Sequence, residues 1–378
     1  MEWLREELEK LREENLYRYR ITREGLRDFC SNDYLGLKEH PEVLQASIKA
    51  LESYGLGSGA SQLVSGYTLL HRKLEEKLSE FKKVPCCVLF GSGYLANLGT
   101  LQALVGEGDG VFSDSLNHAS IIDGCRLSKA KVFVFNHRDY AHLESLLHEN
   151  RKNIRRCLIV SDTVFSMDGD IADIKTLKRL SKEYECMLYL DEAHATGVLG
   201  KGGRGGLEFF CEDWEEYIVI MGTLSKAIGA YGAFVCGSKS LCDLLVNKAR
   251  SLIFSTSLPP SVCAGATKAL EIIEKRPELV ERLRKLAENM KNALNSLGFS
   301  IPFHGTPILP IMVYEEKKAL EIRDSLLREG VLLQAIRYPT VPKGKARLRL
   351  TATLKYTDDE LNLLYSLLKK HSPNPSTI

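Results

Sequence analysis

The stretch YIVIMGTLSKAIGAYG, residues 217–232, joins an apolar run to a lysine set among small and hydroxylated residues. The run 217–221 predicts a buried strand. A lysine ordinarily keeps its charge in water, so Lys226 stands in an unusual setting. Because desolvation lowers the pKa of a lysine amine and makes it nucleophilic, Lys226 is a candidate for Schiff-base chemistry. The alternative is an ordinary surface lysine that follows a buried strand.

Apolar runs alternate with helix-like segments through residues 84–237. The runs are continuous, which is typical of a mainly parallel sheet with helices on both faces. Ligands of such sheets bind beyond the carboxyl ends of the strands. The predicted strands lie at 84–90, 108–114, 131–135, 157–164, 186–194, 217–222 and 232–237.

The chain has 378 residues and a mass of 42.4 kDa, which is more than one small hydrophobic core accommodates. We predict an N-terminal arm at 1–38, a large domain at 39–276 and a small α+β domain at 277–378. Within the small domain, 331–337 and 346–352 each have the pattern of one strand.

The composition is that of an ordinary globular protein, with 44% hydrophobic and 26% charged residues and a formal net charge of +2. This balance does not predict a nucleic-acid surface, and no run is long and apolar enough for a membrane helix. The N-terminus lacks the apolar core of a secretory signal. The 10 cysteines form no CxxC pair, so we expect small buried thiols in a reducing, cytoplasmic compartment, without a disulfide framework or a metal site.

Two more polar clusters follow predicted strands. FGSGYLAN (90–97) precedes a helix, and its small residues would let backbone N–H groups face an anion such as phosphate. LDEAHATG (190–197) has Asp191 at a strand end and His194 three residues later. That pair fits a cofactor clamp or a general acid–base pair, and less well a metal site, which would need further nearby ligands. The alternative is a helix N-cap with a surface histidine.

A lysine, a buried carboxylate, a phosphate cradle and a histidine together describe a pyridoxal 5'-phosphate site. Lys226 would bind the aldehyde of the cofactor. Asp191 would keep the pyridinium nitrogen protonated, which makes the ring an electron sink.

Several longer blocks resemble those of the α-oxoamine synthases, a family of fold-type I pyridoxal-phosphate enzymes. The resemblance extends from about residue 26 to residue 355. It implies an α/β transferase whose large domain has a mainly parallel seven-stranded sheet between helices, beside a smaller α+β C-terminal domain. The blocks are SNDYLGL, VSGYTLLH, NHASIIDG, SMDGD, DEAHATGVLGKGGRG, GTLSKAIGAYGAF and FSTSLPP.

The resemblance also implies a reaction, the decarboxylative condensation of an amino acid with an acyl thioester. The blocks VSGYTLLH, HATGVLGKGGRG and AIRYPTVPKGKARLRLTA favour L-alanine with pimeloyl-CoA or a pimeloyl carrier protein, a step of biotin biosynthesis. The near alternative is glycine with acetyl-CoA or another reaction of the family. More distant alternatives are a pyridoxal-phosphate aminotransferase or lyase, and a nucleotide-binding or scaffolding α/β protein without catalysis.

Positions that match the family imply four catalytic residues, Lys226, Asp191, His118 and His194. Lys226 would carry the cofactor and Asp191 would pair with its pyridinium nitrogen. His118 would stack on the cofactor ring, and His194 would bond its phenolic oxygen. Ser166 would lie near the same oxygen.

The resemblance assigns the cofactor phosphate to backbone at Gly93 and Tyr94 and to the hydroxyls of Thr223 and Ser225. Thr256 would reach the phosphate of the partner subunit. The family therefore implies a homodimer with shared active sites.

Substrate carboxylates are assigned to arginines in the same way. Asn32 and Arg349 resemble the pair that holds the amino-acid carboxylate, which a planar guanidinium can bind through two parallel hydrogen bonds. The family implies an N-terminal arginine for the far carboxylate of the acyl chain, and LYRYR offers Arg18 and Arg20. The alternative for Arg349 is a solvated or salt-bridged strand face shared with Arg347.

Overall fold

The computed structural model describes residues 2–373. Its internal contacts divide the chain into two compact units. The larger unit comprises Asn32–Ser166 and Asp170–Leu283. The smaller unit comprises the residues up to Ser31, Met167–Gly169 and the residues from Arg284 onward. The domain boundaries given above stay a prediction.

Helices and strands alternate along most of the chain. The strands are β1 Arg27–Asp28, β2 Cys86–Phe90, β3 Gly110–Asp114, β4 Lys131–Phe135, β5 Cys157–Asp162, β6 Met187–Asp191, β7 Ile218–Thr223, β8 Ala233–Gly237, β9 Ile308–Tyr314, β10 Val331–Leu332, β11 Ala335–Ile336 and β12 Ala346–Thr351. The helices are α1 Glu2–Glu13, α2 Pro41–Tyr54, α3 Leu69–Lys82, α4 Gly93–Leu104, α5 Ala119–Ser128, α6 Tyr140–Asn150, α7 Ile174–Glu183, α8 Gly206–Phe209, α9 Lys239–Lys248, α10 Arg250–Ile253, α11 Pro260–Lys275, α12 Glu278–Ser296, α13 Glu316–Arg328 and α14 Asp358–Lys369. Within residues 2–373, no helix combines the length and the apolar character that crossing a bilayer requires.

A seven-stranded, mainly parallel sheet forms the centre of the larger unit, which confirms the predicted α/β class. Its strand order is β2-β8-β7-β6-β5-β3-β4. β8 runs antiparallel to both of its neighbours, and the other neighbouring strands are parallel. Every residue of β5 and β7 is buried, which explains why these strands are continuous apolar runs in the sequence.

Parallel pairing brings the carboxyl ends of β5, β6 and β7 to one edge of the sheet. Asp162 at the end of β5 is the register partner of Asp191 at the end of β6. Asp191 in turn pairs with Met221, and β7 ends at Thr223, shortly before Lys226. The sheet therefore gathers the residues that the strand-end pattern singled out.

Helix α4 lies close to α5 because a glycine faces the contact. A Cβ atom at Gly124 would lie 2.7 Å from Cδ1 of Leu101 and 3.0 Å from the carbonyl oxygen of Asn97. Leu101 is fully buried, and burial of such a side chain stabilises the fold by about 1.5–3 kcal/mol. This packing fixes α4, whose first turn reaches the sheet edge described above.

The segment 331–337 forms two short strands, so the prediction of one strand is wrong. β10 pairs in parallel with β1, whereas β11 pairs antiparallel with β12. Between them, the N–H of Gln334 lies 3.0 Å from Sγ of Cys30, and its carbonyl accepts from the N–H of Arg349. The chain changes from one sheet to another at this point, which a strand pattern in the sequence does not reveal.

The smaller unit contains the antiparallel sheet β11-β12-β9, and β12 is buried at every residue. Arg347 and Arg349 are therefore buried, which contradicts the alternative of a solvated face. Arg347 forms an ion pair with Asp168 and donates to the carbonyl of Met167 at 3.3 Å. The salt-bridged alternative thus holds for Arg347.

Two cysteine pairs are bonded, contrary to the expectation that the protein contains no disulfides. Cys87 of β2 and Cys236 of β8 are register partners, with Cα atoms 4.1 Å apart. Cys157 and Cys186 lie at the starts of two adjacent parallel strands, with Cα atoms 4.6 Å apart. Sheet register brings these partners together, and spacing along the sequence gives no sign of it.

A histidine bridges two carboxylates in the larger unit. His137 Nδ1 lies 2.9 Å from Asp114 Oδ1, and its Nε2 lies 2.7 Å from Asp170 Oδ2. Burial by itself would lower the pKa of His137, but the two carboxylates outweigh it and raise the pKa to about 9. The imidazolium therefore ties the end of β3 to the segment that follows Gly169.

This bridge predicts a pH-dependent stability. The folded pKa of His137 lies above the ordinary value of 6.5, so its contribution is fully present below pH 6.5 and is lost as the pH rises through about 9. We expect His137→Gln to lower the free energy of unfolding by up to about 3 kcal/mol at pH 6 and by much less at pH 10. Urea unfolding midpoints at the two pH values measure the difference. His148→Gln, at an exposed position on α6, is the control, and an equal loss for His137→Gln at both pH values would contradict the bridge.

Candidate active site

A cavity of about 140 Å³ lies at the carboxyl ends of β5, β6 and β7 in the larger unit. Nine of the residues proposed from the sequence line it, which are Gly93, Tyr94, His118, Ser166, Asp191, His194, Thr223, Ser225 and Lys226. Five further residues that line the cavity were not predicted from the sequence, which are Asn97, Ser120, Asp162, Ala193 and Met221. The three polar clusters that follow separate strands thus meet at one place.

Lys226 lies in a tight connection between β7 and β8. The N–H of Leu224 donates to the carbonyl of Gly232, and the N–H of Gly229 donates to the carbonyl of Lys226. Gly229 has a φ of +73°, and a Cβ there would lie 2.4 Å from the backbone nitrogen of Lys38. The half-buried Lys226 side chain borders the cavity, so the alternative of an ordinary surface lysine does not describe it.

The N-terminus of α4 forms another side of the cavity. The Ser92 hydroxyl caps the helix by accepting from the N–H of Leu95 at 3.2 Å. The first amides of a helix have no intrahelical acceptor and attract anions. A Cβ at Gly93 would lie 2.8 Å from Cγ2 of Thr223, so the close approach of α4 to the end of β7 requires glycine. Tyr94 is held by a hydrogen bond from its hydroxyl to Asp123.

Asp191 is only 2% exposed, and its carboxylate is held by two donors. Nδ2 of Asn97 donates to Oδ2 at 2.8 Å, and the N–H of Ala193 donates to Oδ1 at 2.9 Å. Tyr189 orients the Asn97 amide by donating from its hydroxyl to Oδ1 at 2.7 Å. These two donors fix the position and orientation of the Asp191 carboxyl group at the end of β6.

Asp162 is a second buried carboxyl group beside Asp191. Its Oδ2 accepts from the backbone N–H of His118 at 2.8 Å. Burial and the charge of Asp191 raise the pKa of Asp162 well above its usual range. The neutral form of Asp162 is therefore favoured beside Asp191.

Two of the five lining residues that were not predicted, Asp162 and Asn97, had a signal in the sequence. Asp162 ends an apolar run just as Asp191 does, so the same strand-end argument applies to it. Asn97 lies inside the FGSGYLAN block, and it and Thr100 are the two polar side chains among the buried residues of α4. A buried polar group of this kind needs a partner, which here is Asp191.

His118 caps the N-terminus of α5. Its Nδ1 accepts from the N–H of Ser120 at 3.2 Å, which leaves the proton of a neutral ring on Nε2. Desolvation by the surrounding protein lowers the pKa of His118. The negative charge of Asp191 opposes this shift and the positive charge of Lys226 adds to it, and the net effect is a lowered pKa. The ring thus faces the cavity as a neutral imidazole.

His194 is joined to Asn32 through a buried tyrosine. The Tyr34 hydroxyl lies 2.7 Å from Nδ1 of His194 and donates to Oδ1 of Asn32 at 3.2 Å. Asn32, assigned to substrate binding, is thereby connected to the cavity wall.

Besides Asn32, four residues assigned from the resemblance lie outside the lining of this cavity. Thr256 pairs with Ser61 in an isolated β-bridge of the larger unit. Arg349 is buried on β12 of the smaller unit. Arg18 lines a different cavity of about 240 Å³ in the smaller unit, and Arg20 lines neither cavity.

The residues present fit a phosphate-bearing pyridinium. Helix amides and hydroxyls suit an anion at one end, and the carboxylate of Asp191 suits a protonated ring nitrogen at the other. Lys226 offers an amine to a carbonyl carbon. Among residues 2–373, no three side chains of His, Cys, Asp or Glu are grouped to hold a metal ion.

Comparison with known proteins agrees with this chemistry. The family model "Aminotransferase class I and II" matches residues 24–365. A protein of Aquifex aeolicus named "Putative 8-amino-7-oxononanoate synthase" is 63% identical over 370 residues, which are 98% of each chain. The 8-amino-7-oxononanoate synthase of Geobacter sulfurreducens is 48% identical in an alignment of 372 positions that covers 94% of each chain.

Solved structures have the same fold. Serine palmitoyltransferase from S. paucimobilis with a bound PLP–myriocin aldimine has a TM-score of 0.91 at 28% identity, covering 100% of this chain and 98% of that one. The 8-amino-7-oxononanoate synthase of Francisella tularensis has a TM-score of 0.78 at 27% identity, covering 92% and 98%. The chain therefore belongs to the class I and II aminotransferase family of fold-type I pyridoxal-phosphate enzymes, and within it to the α-oxoamine synthases.

Proposed function

We propose that this protein condenses L-alanine with a pimeloyl thioester to give 8-amino-7-oxononanoate, carbon dioxide and a thiol, in biotin biosynthesis. One observation carries the proposal: a single cavity gathers Lys226, an anchored Asp191 and the N-terminus of α4, in a chain 63% identical to a relative of that name. The acyl donor is pimeloyl-CoA or a pimeloyl carrier protein.

Pyridoxal phosphate, when bound, supplies an electron sink for the carbanion of the amino acid. Backbone amides at Gly93 and Tyr94 would hold its phosphate, together with the hydroxyls of Thr223 and Ser225. Asp191 would hold the pyridinium nitrogen.

The remaining residues of the cavity would orient the ring and its aldehyde. Lys226 would bind the aldehyde carbon, and His118 would lie against the ring face. His194 and Ser166 would contact the phenolic oxygen. The neutral state of His118 suits a stacking role, because it adds no second positive charge beside the pyridinium.

Lys226 moves the protons of the reaction. Its amine takes the α-proton from Cα of alanine, and later returns a proton to the same carbon after carbon dioxide has left. Asp191 would favour the first transfer, because a carboxylate beside the ring nitrogen of the bound cofactor would keep that nitrogen protonated. Asn97 and Ala193 hold that carboxylate in place.

Asn32 and Arg349 would hold the carboxylate of alanine, and an N-terminal arginine would hold the far carboxylate of the pimeloyl chain. Arg18 is favoured over Arg20 for this second role. It lines a cavity with two other arginines, Arg323 and Arg337, and guanidinium groups suit carboxylates.

A second copy of the chain would complete the enzyme as a homodimer. Helix α2 exposes Leu44, Ile48 and Leu51 along one face, and Leu56 and Val64 in the following loop are 83% and 79% exposed. Contiguous exposed apolar surface commonly marks an interface. In such a dimer Thr256 would serve the phosphate of the partner subunit.

Replacement of the lysine tests the cofactor assignment. We expect Lys226→Ala to abolish turnover and the visible absorbance that pyridoxal phosphate gains on binding to the lysine, because no other amine is offered to the aldehyde by the residues that line this cavity. Lys239→Ala, an exposed lysine at the start of α9, is the matched control. Retention of both properties in Lys226→Ala would refute the assignment.

A substrate panel tests the reaction. Alanine and glycine are each combined with pimeloyl-CoA and acetyl-CoA, and the released thiol and carbon dioxide are measured. We expect both products with alanine and pimeloyl-CoA. Release of thiol and carbon dioxide only with glycine and acetyl-CoA would indicate the condensation of those two substrates instead. Amino transfer without thiol release would indicate an aminotransferase.

A charge on the exposed apolar face tests the dimer. We expect Ile48→Glu to convert the dimer to a monomer at micromolar concentration, because burial of an unpaired carboxylate costs several kcal/mol. Sedimentation equilibrium gives the mass. Val134→Glu, on edge strand β4, is the control, and a dimer that persists in Ile48→Glu would exclude this face.

A further inference from the structure

A buried ion pair lies directly behind the candidate active site in the larger unit. Nζ of Lys82, the last residue of α3, lies 2.5 Å from Oε2 of Glu192. Both side chains are only 1% exposed. Burial of two charges carries a desolvation penalty of several kcal/mol per ion, so packing alone would be served as well by two apolar side chains. The pair therefore calls for a role other than filling space.

The ammonium group of Lys82 is fully satisfied by one segment of the chain. Besides Glu192, it donates to Oγ1 of Thr196 at 2.8 Å and to the carbonyl of Arg204 at 2.6 Å. A lysine has three N–H donors, and each has an acceptor here. All three acceptors follow Asp191 within the block DEAHATGVLGKGGRG.

Glycines cradle the carboxylate of Glu192. Its Oε1 accepts from the N–H of Gly206 at 2.7 Å. A Cβ at Gly205 would lie 2.0 Å from Oε2, and Gly205 has a φ of +113°. The end of the glycine-rich block thus lets the backbone approach Glu192 closely.

The backbone of Glu192 belongs to the turn that presents the active-site side chains. Its N–H donates to the carbonyl of Met221 at 2.7 Å, and its carbonyl accepts from the N–H groups of Ala195 and Thr196. Asp191 precedes it and His194 follows it by two residues. The side chain of Glu192 therefore extends from the same hydrogen-bonded turn as those of Asp191 and His194.

Glu192 faces away from the cofactor cavity. It lines a second cavity of about 450 Å³ together with Lys82, whereas its neighbours Asp191 and Ala193 line the first. Neither Lys82 nor Glu192 lines the first cavity. Any effect of the pair on the cofactor is consequently exerted through the turn.

We propose that Lys82 is a positioning residue for the reaction, which fixes the turn 191–196 through Glu192 and so sets Asp191 and His194 against the cofactor. This inference rests on the proposed function for the identity of the cofactor. It assigns the ion pair to the alignment of the site rather than to the stability of the fold.

Cofactor binding by Lys82→Met tests the proposal. Methionine keeps an unbranched stem and removes the charge, which leaves the Glu192 carboxylate buried without its partner. We expect the dissociation constant for pyridoxal phosphate, titrated into cofactor-free full-length protein, to rise on the order of tenfold or more. The pH profile of the visible absorbance of the bound cofactor should shift as well, because Asp191 is displaced from the ring nitrogen.

A double variant and a matched control separate positioning from stability. Lys82→Met with Glu192→Gln removes both charges, so part of the lost affinity should return. Lys178→Met removes another buried lysine, which pairs with Glu212 at 2.8 Å and Glu215 at 3.3 Å away from the first cavity. We expect it to lower the unfolding midpoint and to leave the dissociation constant and the pH profile unchanged.

Three results would overturn the proposal. Lys82→Met could bind pyridoxal phosphate as the wild type does with the same pH profile, the double variant could show no recovery, or Lys178→Met could show the same loss. Glu192→Gln alone provides the test if Lys82→Met does not fold, and unchanged affinity and pH profile there would have the same meaning. A wild-type protein that binds no pyridoxal phosphate would overturn the proposed function and this inference together.

Discussion

The Asp191 carboxyl group lies in the protein interior, and the arrangement around it follows from that burial. A carboxylate in the interior is stable only where donors replace the water that it loses. Here Asn97 and the N–H of Ala193 supply those donors. Asp162 lies beside it and avoids a second negative charge, because burial and Asp191 itself raise the pKa of Asp162. Asp191 thus adds to the effect of burial on the pKa of Asp162, and it provides the partner that the buried Asn97 amide of α4 needs.

The parallel sheet makes this arrangement possible. Strands β5, β6 and β7 end at one edge, so residues from three separate parts of the sequence meet without a long loop. The helix that starts at Gly93 adds its amides to the same edge. Behind it, the Lys82–Glu192 pair and its glycine cradle hold the turn that follows β6. The turn after β6 thus carries Asp191 on the side of the first cavity and the Lys82–Glu192 ion pair on the side of the second.

Much of the fold and most of the candidate site could be predicted from the sequence. The seven apolar runs predicted the sheet, and the polar clusters that follow them contain seven of the nine proposed lining residues, because both depend on local pattern. The other two proposed lining residues, His118 and Ser166, came from the family resemblance. Long-range partners could not be predicted in this way. Asn97 meets Asp191 across 94 residues, and Lys82 meets Glu192 across 110, which no periodicity encodes. The cysteine pairs and the division of 331–337 were missed for the same reason, since each depends on which strands become neighbours.

The antiparallel strand β8 has a consequence for how Lys226 can move. Thr223 at the end of β7 pairs with Ala233 at the start of β8, so the connection that carries the lysine leaves and re-enters the sheet at adjacent points. Backbone hydrogen bonds across this connection restrict it further. The reach of the amine is therefore set by rotation about its own side-chain bonds rather than by the opening of a loop. In the proposed function, exchange of Lys226 between two bonding partners would therefore need no movement of the backbone that carries it.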